Sequence, residues 1–388
     1  MRKLTRLVAG GLLAILAAAC SGPVQNGRLP ATPPITAKSW DLFVQEYIDG
    51  YFRLRPDLAI SAGRHEFDGR LPDWSPAGMA LMVHFLEEQQ AAAQRYEPVN
   101  RAQALEQDYL LSQIESDLFW IQRAKAPYKN PSYYNALDPA VYVTREYAPL
   151  QDRLVSLVAY EKNLPTSVEQ IQKNLQTPLP RTYIGIGRTI FGGLATFLQN
   201  EAPKVFAPVQ DGALQSEYSE VTAEAVAALR RLDKWLENQL PEATDDFALG
   251  PDLFQEMLWK TERVKVPLAE LERIGRADLD RNLAALRLAC QKLAPGRPMQ
   301  QAIAMVRANK PKEGVVQAAR NQLDDLKYFI LEKELVSIPS PQTALVEESP
   351  EYMRWNSAFI NIPGPYEKGL PSIYYIAPPD PKWSPKEQ

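Results

Sequence analysis

Two histidines, His65 and His84, limit the metal chemistry open to this chain of 388 residues. Zinc hydrolases take three protein ligands from His and acidic side chains, and H-E-x-x-H places two imidazoles on one helix face. His65 and His84 are nineteen residues apart, and the chain contains no H-E-x-x-H. The motifs therefore identify no metal ligand and no catalytic residue.

Nucleophilic catalysis has equally little support in the sequence. There is no G-x-S-x-G motif, and a Ser or Cys triad would have to use one of the two histidines. Paired carboxylates for glycoside hydrolysis stay open because the chain has 47 acidic residues, but no pair stands out. A hydrolase with an unrecognised site is the least favoured interpretation.

His65 lies in a segment rich in Gly and Pro, SAGRHEFDGRLPDWS, with Glu66 and Asp68 beside it. A metal site is one interpretation of this cluster. His and Asp also satisfy turns by hydrogen bonding, and we expect His65 and Asp68 to fix a loop in this way. His84 follows an amphipathic helical pattern, and we expect it to be packed or partly exposed.

The first twenty residues are typical of a lipoprotein signal, with a basic start, an apolar run over 7–16 and three alanines before Cys20. The apolar run is shorter than the roughly 20 residues of a spanning helix. We predict a signal peptide over 1–19, lipid on Cys20 and a flexible Pro-rich tether over 20–38. A plain secretory signal or a short membrane anchor is the alternative. Ser21 predicts sorting to the outer membrane, facing the periplasm.

Net charge and cysteine content limit the classes of function that remain open. The formal charge is -4, and the leader removes only basic residues, so the exported chain is more acidic still. Nucleic-acid binding depends on Lys and Arg neutralising phosphates, so no nucleic-acid partner is expected. Cys290 is the only other cysteine besides Cys20. We expect it to be a buried structural thiol without a disulfide.

Apolar residues recur at spacings of three and four from Ser39 onward, which predicts helices. The predicted helices cover residues 40–55, 76–94, 101–125, 149–162, 167–175, 180–200, 216–239, 268–293, 299–307 and 315–334. The aromatic stretch over 127–147 is predicted to be an ordered loop. Four glycines over 185–193 match no phosphate-binding loop, and we expect them to allow close helix packing.

The pattern changes after residue 334. LVSIP, FINIP and SIYYIAP are β-branched, aromatic and bounded by Pro or Gly, so they predict short strands. The predicted fold class is mainly α, with a large multi-helix body over 39–334 and a small β-sheet in a segment over 335–388 near the C-terminus.

Three stretches resemble DUF885, a family of bacterial lipoproteins similar to gluzincin-type zinc peptidases. They are GRHEFDGRLPDWS from Gly63, LFQEMLWKTERVKVPLAELERIGRADL from Leu253, and the end segment from Leu335 with VEESPEYMRW, FINIPGPYE and SIYYIAPPDPKWSPKEQ. In full-length relatives a helix with H-E-x-x-P-G-H follows, and a further acidic ligand comes later. The resemblance implies zinc for those relatives. It transfers no ligand or general base to this chain, for which no cofactor is expected.

The resemblance implies that this chain is the N-terminal part of a zincin-like α-helical peptidase. It would have been shortened by a frameshift, a premature stop or a split gene, and it would be inactive alone. In such enzymes an edge strand binds extended substrate by backbone pairing. SIYYIA, with Tyr374 and Tyr375 on opposite faces, is the predicted substrate strand, and an ordinary supporting strand is the alternative. Loss of the missing part also predicts exposed apolar surface near Ile360, Ile362 and Ile376.

The expected partners are the membrane, through lipid on Cys20, and either a peptide substrate or a separately encoded C-terminal part. A different functional class also remains open. In that alternative, the chain is a non-catalytic periplasmic lipoprotein whose helical body binds a peptide or a protein. Both interpretations place the protein in the cell envelope.

Overall fold

The structure is a computed structural model that describes residues 39–310, 312–338, 342–349, 356–379 and 383–384. The predicted mainly α class is confirmed, because helices dominate and a small sheet lies near the C-terminal end. The helices are α1 (Trp40–Leu54), α2 (Pro56–Ser61), α3 (Pro76–Ala93), α4 (Arg101–Leu118), α5 (Ala126–Lys129), α6 (Ala140–Thr144), α7 (Leu150–Asn174), α8 (Arg181–Asn200), α9 (Ala202–Phe206), α10 (Gly212–Asn238), α11 (Gly250–Glu262), α12 (Leu268–Leu293), α13 (Met299–Ala308) and α14 (Val315–Glu332). The strands are β1 (Leu345–Glu348), β2 (Ala358–Asn361) and β3 (Ile373–Ile376). Among the residues described, no helix has the length and apolarity needed to cross a membrane.

The centre of the helical body is formed by α10, which packs along both α7 and α8. On α7 the fully buried residues Leu157, Leu164 and Ile171 recur every seven residues, which gives the helix one continuous apolar face. Gly187 permits the close approach of α8, since a Cβ there would lie 2.6 Å from the Pro131 Cβ. The predicted role of the glycines in close packing is thus confirmed at this position.

Some helix boundaries follow directly from capping residues. The Ser39 and Ser75 hydroxyls accept backbone N–H groups at the starts of α1 and α3, and Pro76 occupies the first helical turn. The predicted break between 162 and 167 is wrong, because α7 continues through Pro165. Leu164 and Val168 are buried on either side of it, and their packing outweighs the lost backbone hydrogen bond.

Three other features of local structure differ from the expectations. The stretch over 127–147 contains the short helices α5 and α6 and a 3₁₀ turn. The strand predicted at LVSIP is absent from residues 335–338, and α11 was not predicted. Residues 335–338 are solvent-exposed and have no neighbouring strand. The pairing that a strand requires is therefore missing there.

The sheet has the order β1-β3-β2. The pairing of β1 with β3 is parallel, with Val346 opposite Tyr374, and the pairing of β2 with β3 is antiparallel, with Ile360 opposite Tyr374. α14 covers part of this sheet through contacts with β1 and β3. Ile360 and Ile362 are exposed as predicted, while Ile376 is half-buried.

Candidate functional site

A buried polar cluster attaches the C-terminal segment to the helical body. We call it the clamp, and it consists of His65, Asp68, Arg145, Tyr147 and Glu367. The Glu367 side chain, in the loop between β2 and β3, is only 3% exposed. Its Oε2 accepts hydrogen bonds from the Arg145 Nη1 at 2.9 Å and from a backbone N–H of its own loop at 2.6 Å. Its Oε1 lies 3.2 Å from the His65 Nε2.

The His65 ring is held between two carboxylates. Its Nδ1 lies 3.1 Å from the Asp68 Oδ1, on the side of the ring away from Glu367. The other Asp68 oxygen accepts the hydroxyls of Tyr147 at 2.7 Å and of Ser156 at 3.1 Å. Tyr147 also stacks on the His65 ring, with centroids 3.5 Å apart. Partial burial works against the imidazolium, but the hydrogen bonds and charges of Asp68 and Glu367 raise the pKa of His65 above its ordinary value of 6.5.

Arg145 connects three parts of the chain through one guanidinium. Besides Glu367, it donates to the Ser61 carbonyl at 3.0 Å and to the Asn361 Oδ1 and Ile362 carbonyl, each at 3.2 Å. The planar five-donor guanidinium suits such a junction. The end of α2 is thereby tied to the end of β2.

The backbones also approach closely at the clamp. The Tyr366 N–H donates to the Ala62 carbonyl at 3.0 Å. A Cβ on Gly364 would lie 2.1 Å from the carbonyl carbon of Ala62, so only glycine fits this position. The C-terminal segment therefore docks on the body by side-chain and backbone contacts together.

The clamp geometry favours attachment over metal binding. Both His65 nitrogens are engaged with carboxylates on opposite sides of the ring, and Arg145 supplies the positive charge beside Glu367. Within the described ranges, no group of three His, Cys, Asp or Glu side chains could hold a metal ion. The prediction that His65 and Asp68 fix a loop by hydrogen bonds is confirmed. His84 is exposed, 3.2 Å from Glu88 on the same helix.

The strand with Tyr374 and Tyr375 is in the middle of the sheet. Because β3 pairs with β1 on one side and β2 on the other, its backbone has no open edge, and the expectation of an edge strand is wrong. Tyr375 is 4% exposed and stacks on Phe359, while Tyr374 is half-buried. Contact of these two side chains with a substrate stays a prediction.

Of the two cysteines, the structure describes Cys290 but not Cys20. Cys20, the predicted lipid attachment, lies outside the described residues. Cys290 is a buried free thiol on α12 that packs on Ala294 and Ala302, as expected.

An apolar stripe on α12 is exposed to solvent. We call Leu279, Leu286 and Leu293 the seam, because residues seven apart lie on one helix face. Their exposed fractions are 57%, 40% and 50%. Only Cys290 is buried among the residues of α12, which packs mainly on α13. On α14, Leu326, Phe329 and Leu331 are exposed as well.

A cavity of about 1210 Å³ runs along α8, from Thr182 to Thr196. Gly185 and Gly193 face open space in it, so the expectation that these glycines serve close packing is wrong for both. The apolar lining consists of Leu137, Pro139, Ile186, Ile190 and Leu194. Asp138 lines the cavity as well. No sequence pattern indicated this cavity, although the glycines themselves were visible.

Comparisons with known proteins place the chain in a family. No curated protein matches it at a significant level. Its fold is similar to a solved structure described as "a putative lipoprotein of unknown function from Shewanella oneidensis", with a TM-score of 0.66 and 23% sequence identity over 90% of this chain and 67% of that chain. A family model described as bacterial protein of unknown function, DUF885, matches residues 56–388. The chain therefore belongs to the DUF885 family.

Proposed function

We propose that this chain is a lipid-anchored envelope protein that serves as the non-catalytic helical part of a zinc-peptidase-like assembly. It binds a second polypeptide along α12 and α14, and that polypeptide supplies the metal-binding helix. The exposed seam is the observation that carries this proposal. The resemblance of GRHEFDGRLPDWS and of the end segment to zinc-peptidase-like proteins supports it.

The seam has the pattern of a helix-packing surface. Leucines at a spacing of seven form a stripe that coiled-coil and bundle helices bury against a partner. The opposite side of α12 is polar and carries an ion pair within the helix, between Glu270 and Arg273. A helix with one apolar face and one ion-paired face is amphipathic, and its stability in proteins comes mainly from packing the apolar face.

The solved relative supports a polypeptide as the occupant. This chain aligns with 67% of that relative, so about a third of the relative's residues have no counterpart in the alignment. A polypeptide of that size could cover α12 and α14 together. We infer that the partner is helical and presents an apolar face to the seam.

The test combines assembly with metal content. The full chain is co-produced with the C-terminal part of a full-length DUF885 protein that carries H-E-x-x-P-G-H. We expect a one-to-one complex by size-exclusion chromatography with light scattering, one zinc per complex, and peptidase activity only in the complex. One tightly bound zinc in the chain alone would overturn the non-catalytic assignment.

Two matched variants connect the result to the seam. Leu286→Glu places a charge in the seam, while Leu288→Glu places the same charge about 200° around α12. Leu288 is 59% exposed, so the two changes are comparable in solvent access. We expect only Leu286→Glu to prevent the complex. Equal complex formation by both variants would refute the proposed surface.

The anchor part of the proposal rests on the leader and Cys20. We propose that lipid on Cys20 holds the protein at the outer membrane, facing the periplasm. Labelled palmitate should be incorporated into the wild type and not into Cys20→Ala, which should move to the soluble fraction. Incorporation that persists in Cys20→Ala would contradict this assignment, and recovery in inner-membrane fractions of a sucrose gradient would contradict the outer-membrane sorting.

A further inference from the structure

The cavity along α8 is lined by two carboxylates, Asp138 and Glu201, and by one guanidinium, Arg230. Asp138 accepts the Ala140 N–H at 2.9 Å at the start of α6. In the described part of the chain its carboxylate forms no ion pair, and the nearby Arg145 is engaged with Glu367 in the clamp. Asp138 is solvent-exposed, and partial desolvation by the protein atoms around it raises the pKa of its carboxyl. A carboxylate in such surroundings gains from a cationic partner.

Arg230 is already engaged in the cavity, since its guanidinium donates to the Thr196 hydroxyl at 2.8 Å and to the Gly192 carbonyl at 3.4 Å. The hydroxyls of Thr189 and Thr196 donate to the carbonyls of Gly185 and Gly192 within α8. The remaining backbone of α8 is hydrogen-bonded inside the helix, so it provides no ladder for an extended peptide. A peptide would bury amide groups without partners, which is costly. The cavity lining therefore suits an aliphatic or aromatic group of a ligand better than a peptide backbone.

The size of the cavity sets the size of the ligand. Residues 182–196 of α8 extend over roughly 21 Å at 1.5 Å per residue. The volume of about 1210 Å³ is somewhat above the roughly 300–1,000 Å³ of typical small-molecule sites, so the cavity has room for a small organic molecule or a single alkyl chain. The glycines at 185 and 193 remove the side chains that would otherwise occupy this space.

We propose that the cavity along α8 binds an apolar ligand that carries one ammonium group, with the ammonium on Asp138 and the apolar part against α8. The binding step is non-covalent. This site is separate from the seam on α12, so its test does not depend on the assembly proposed above.

The experiment is calorimetric titration of the full chain with decylamine, decanol, decanoate and an apolar tetrapeptide with a free amino terminus. We expect decylamine to bind about tenfold to a hundredfold more tightly than decanol, the range of a charge-assisted hydrogen bond. Decanoate should bind more weakly than decylamine, because two carboxylates and one guanidinium line the cavity. Equal affinity for decylamine and decanol, or tighter binding of the tetrapeptide than of decylamine, would overturn the proposal.

Asp138→Asn separates ligand binding from a local structural role. Asn can still accept the Ala140 N–H, so the fold should keep its melting temperature while the preference for amine over alcohol is lost. Asp211→Asn is the matched control, because Asp211 likewise accepts a backbone N–H at a helix start and does not line the cavity. An amine preference that survives in Asp138→Asn would refute the role of this carboxylate.

A second pair of variants tests the location. Gly193→Leu fills open space without a clash, so it should abolish decylamine binding while leaving the protein folded. Gly275→Leu makes the same change in the interior of α12, where nothing lies within 4 Å, and should leave binding intact. Undiminished binding by Gly193→Leu would show that decylamine binds elsewhere and would overturn the proposal.

Discussion

Replacing Glu367 by Gln tests whether the clamp attaches the C-terminal segment as the geometry indicates. The Gln carbonyl can take the place of Oε2 and keep hydrogen bonds from Arg145 and the loop N–H. Its amide nitrogen then faces the His65 Nε2 in place of Oε1. The substitution therefore removes the negative charge while preserving size and one acceptor.

The expected loss follows from the two charge-assisted hydrogen bonds. The side chains of Glu367, Arg145 and His65 are 3%, 12% and 24% exposed, so solvent screens them little. A hydrogen bond to a charged group contributes about 1.5–3 kcal/mol and a neutral one about 0.5–1.5 kcal/mol. At pH 6 the bond to Arg145 is weakened by about 1–1.5 kcal/mol and the bond to His65 is lost, which together lower the free energy of unfolding by about 2.5–4.5 kcal/mol.

The loss should depend on pH because the pKa of His65 is raised in the folded state. A raised His pKa contributes stability that is fully present below the unfolded value of about 6.5 and is lost as pH rises through the folded value. At pH 8.5 the neutral imidazole can accept the Gln amide N–H. The variant should then lose only about 1–1.5 kcal/mol, from the bond to Arg145.

Urea unfolding followed by Trp fluorescence at pH 6 and pH 8.5 measures this difference. Hydrogen exchange should show faster exchange in residues 356–379 of the variant. Glu272→Gln on α12 is the matched control, because its ion pair with Arg276 is exposed and should contribute no more than about 0.5 kcal/mol at either pH. An equal loss by Glu367→Gln at both pH values would refute the coupling of His65 to Glu367.

Two further changes follow from the packing. Gly364→Ala forces a methyl group against the Ala62 backbone, so it should lower the free energy of unfolding by about 1–3 kcal/mol and expose residues 356–379 to protease. Gly275→Ala, in open space, is the control and should stabilise the protein by up to about 1 kcal/mol. Intact protease protection in Gly364→Ala would contradict the close approach of the two backbones. Glu161 is fully buried, one of its oxygens has no partner among the described residues, and burial raises its pKa to about 8. The folded state keeps a proton on Glu161 that the unfolded state releases above about pH 4.5. Glu161→Gln should therefore stabilise the protein by about 3 kcal/mol at pH 7 and by little near pH 4.5. The Gln side chain can retain the hydrogen bond from Thr222. A melting-temperature gain of equal size at pH 4.5 and pH 7 would exclude this explanation.

Sequence periodicity predicted the helices best where the determinants are local. The bounds of α12 agree with the predicted 268–293, because Pro267 and the apolar spacing both act within the segment. Pro165 was misleading, since only the packing of α7 against α10 shows that a helix can continue through it. The strands after residue 334 were placed partly wrongly for the same reason. A strand is defined by its neighbours, and β1 forms where it can pair with β3.

The candidate sites were predictable only in part. The His65–Asp68 contact spans three residues and was accessible to reasoning about turns. Arg145 and Glu367 are 222 residues apart, and no local pattern indicates that they form a buried ion pair. The glycines of α8 were visible, but the same residue type packs against Pro131 at Gly187 and faces the cavity at Gly185 and Gly193. The difference depends on which neighbours the fold supplies.

The clamp and the cavity share one short helix. Asp138 lies just before α6 and faces the cavity, while Arg145 follows α6 and belongs to the clamp. The five residues of α6 are too few to hold a helix by themselves, so contacts at its two ends must position it. Arg145 fixes one end through Glu367 and Asn361, which are on the C-terminal segment. Docking of that segment therefore helps to set the position of the carboxylate in the cavity, although Glu367 does not line the cavity itself.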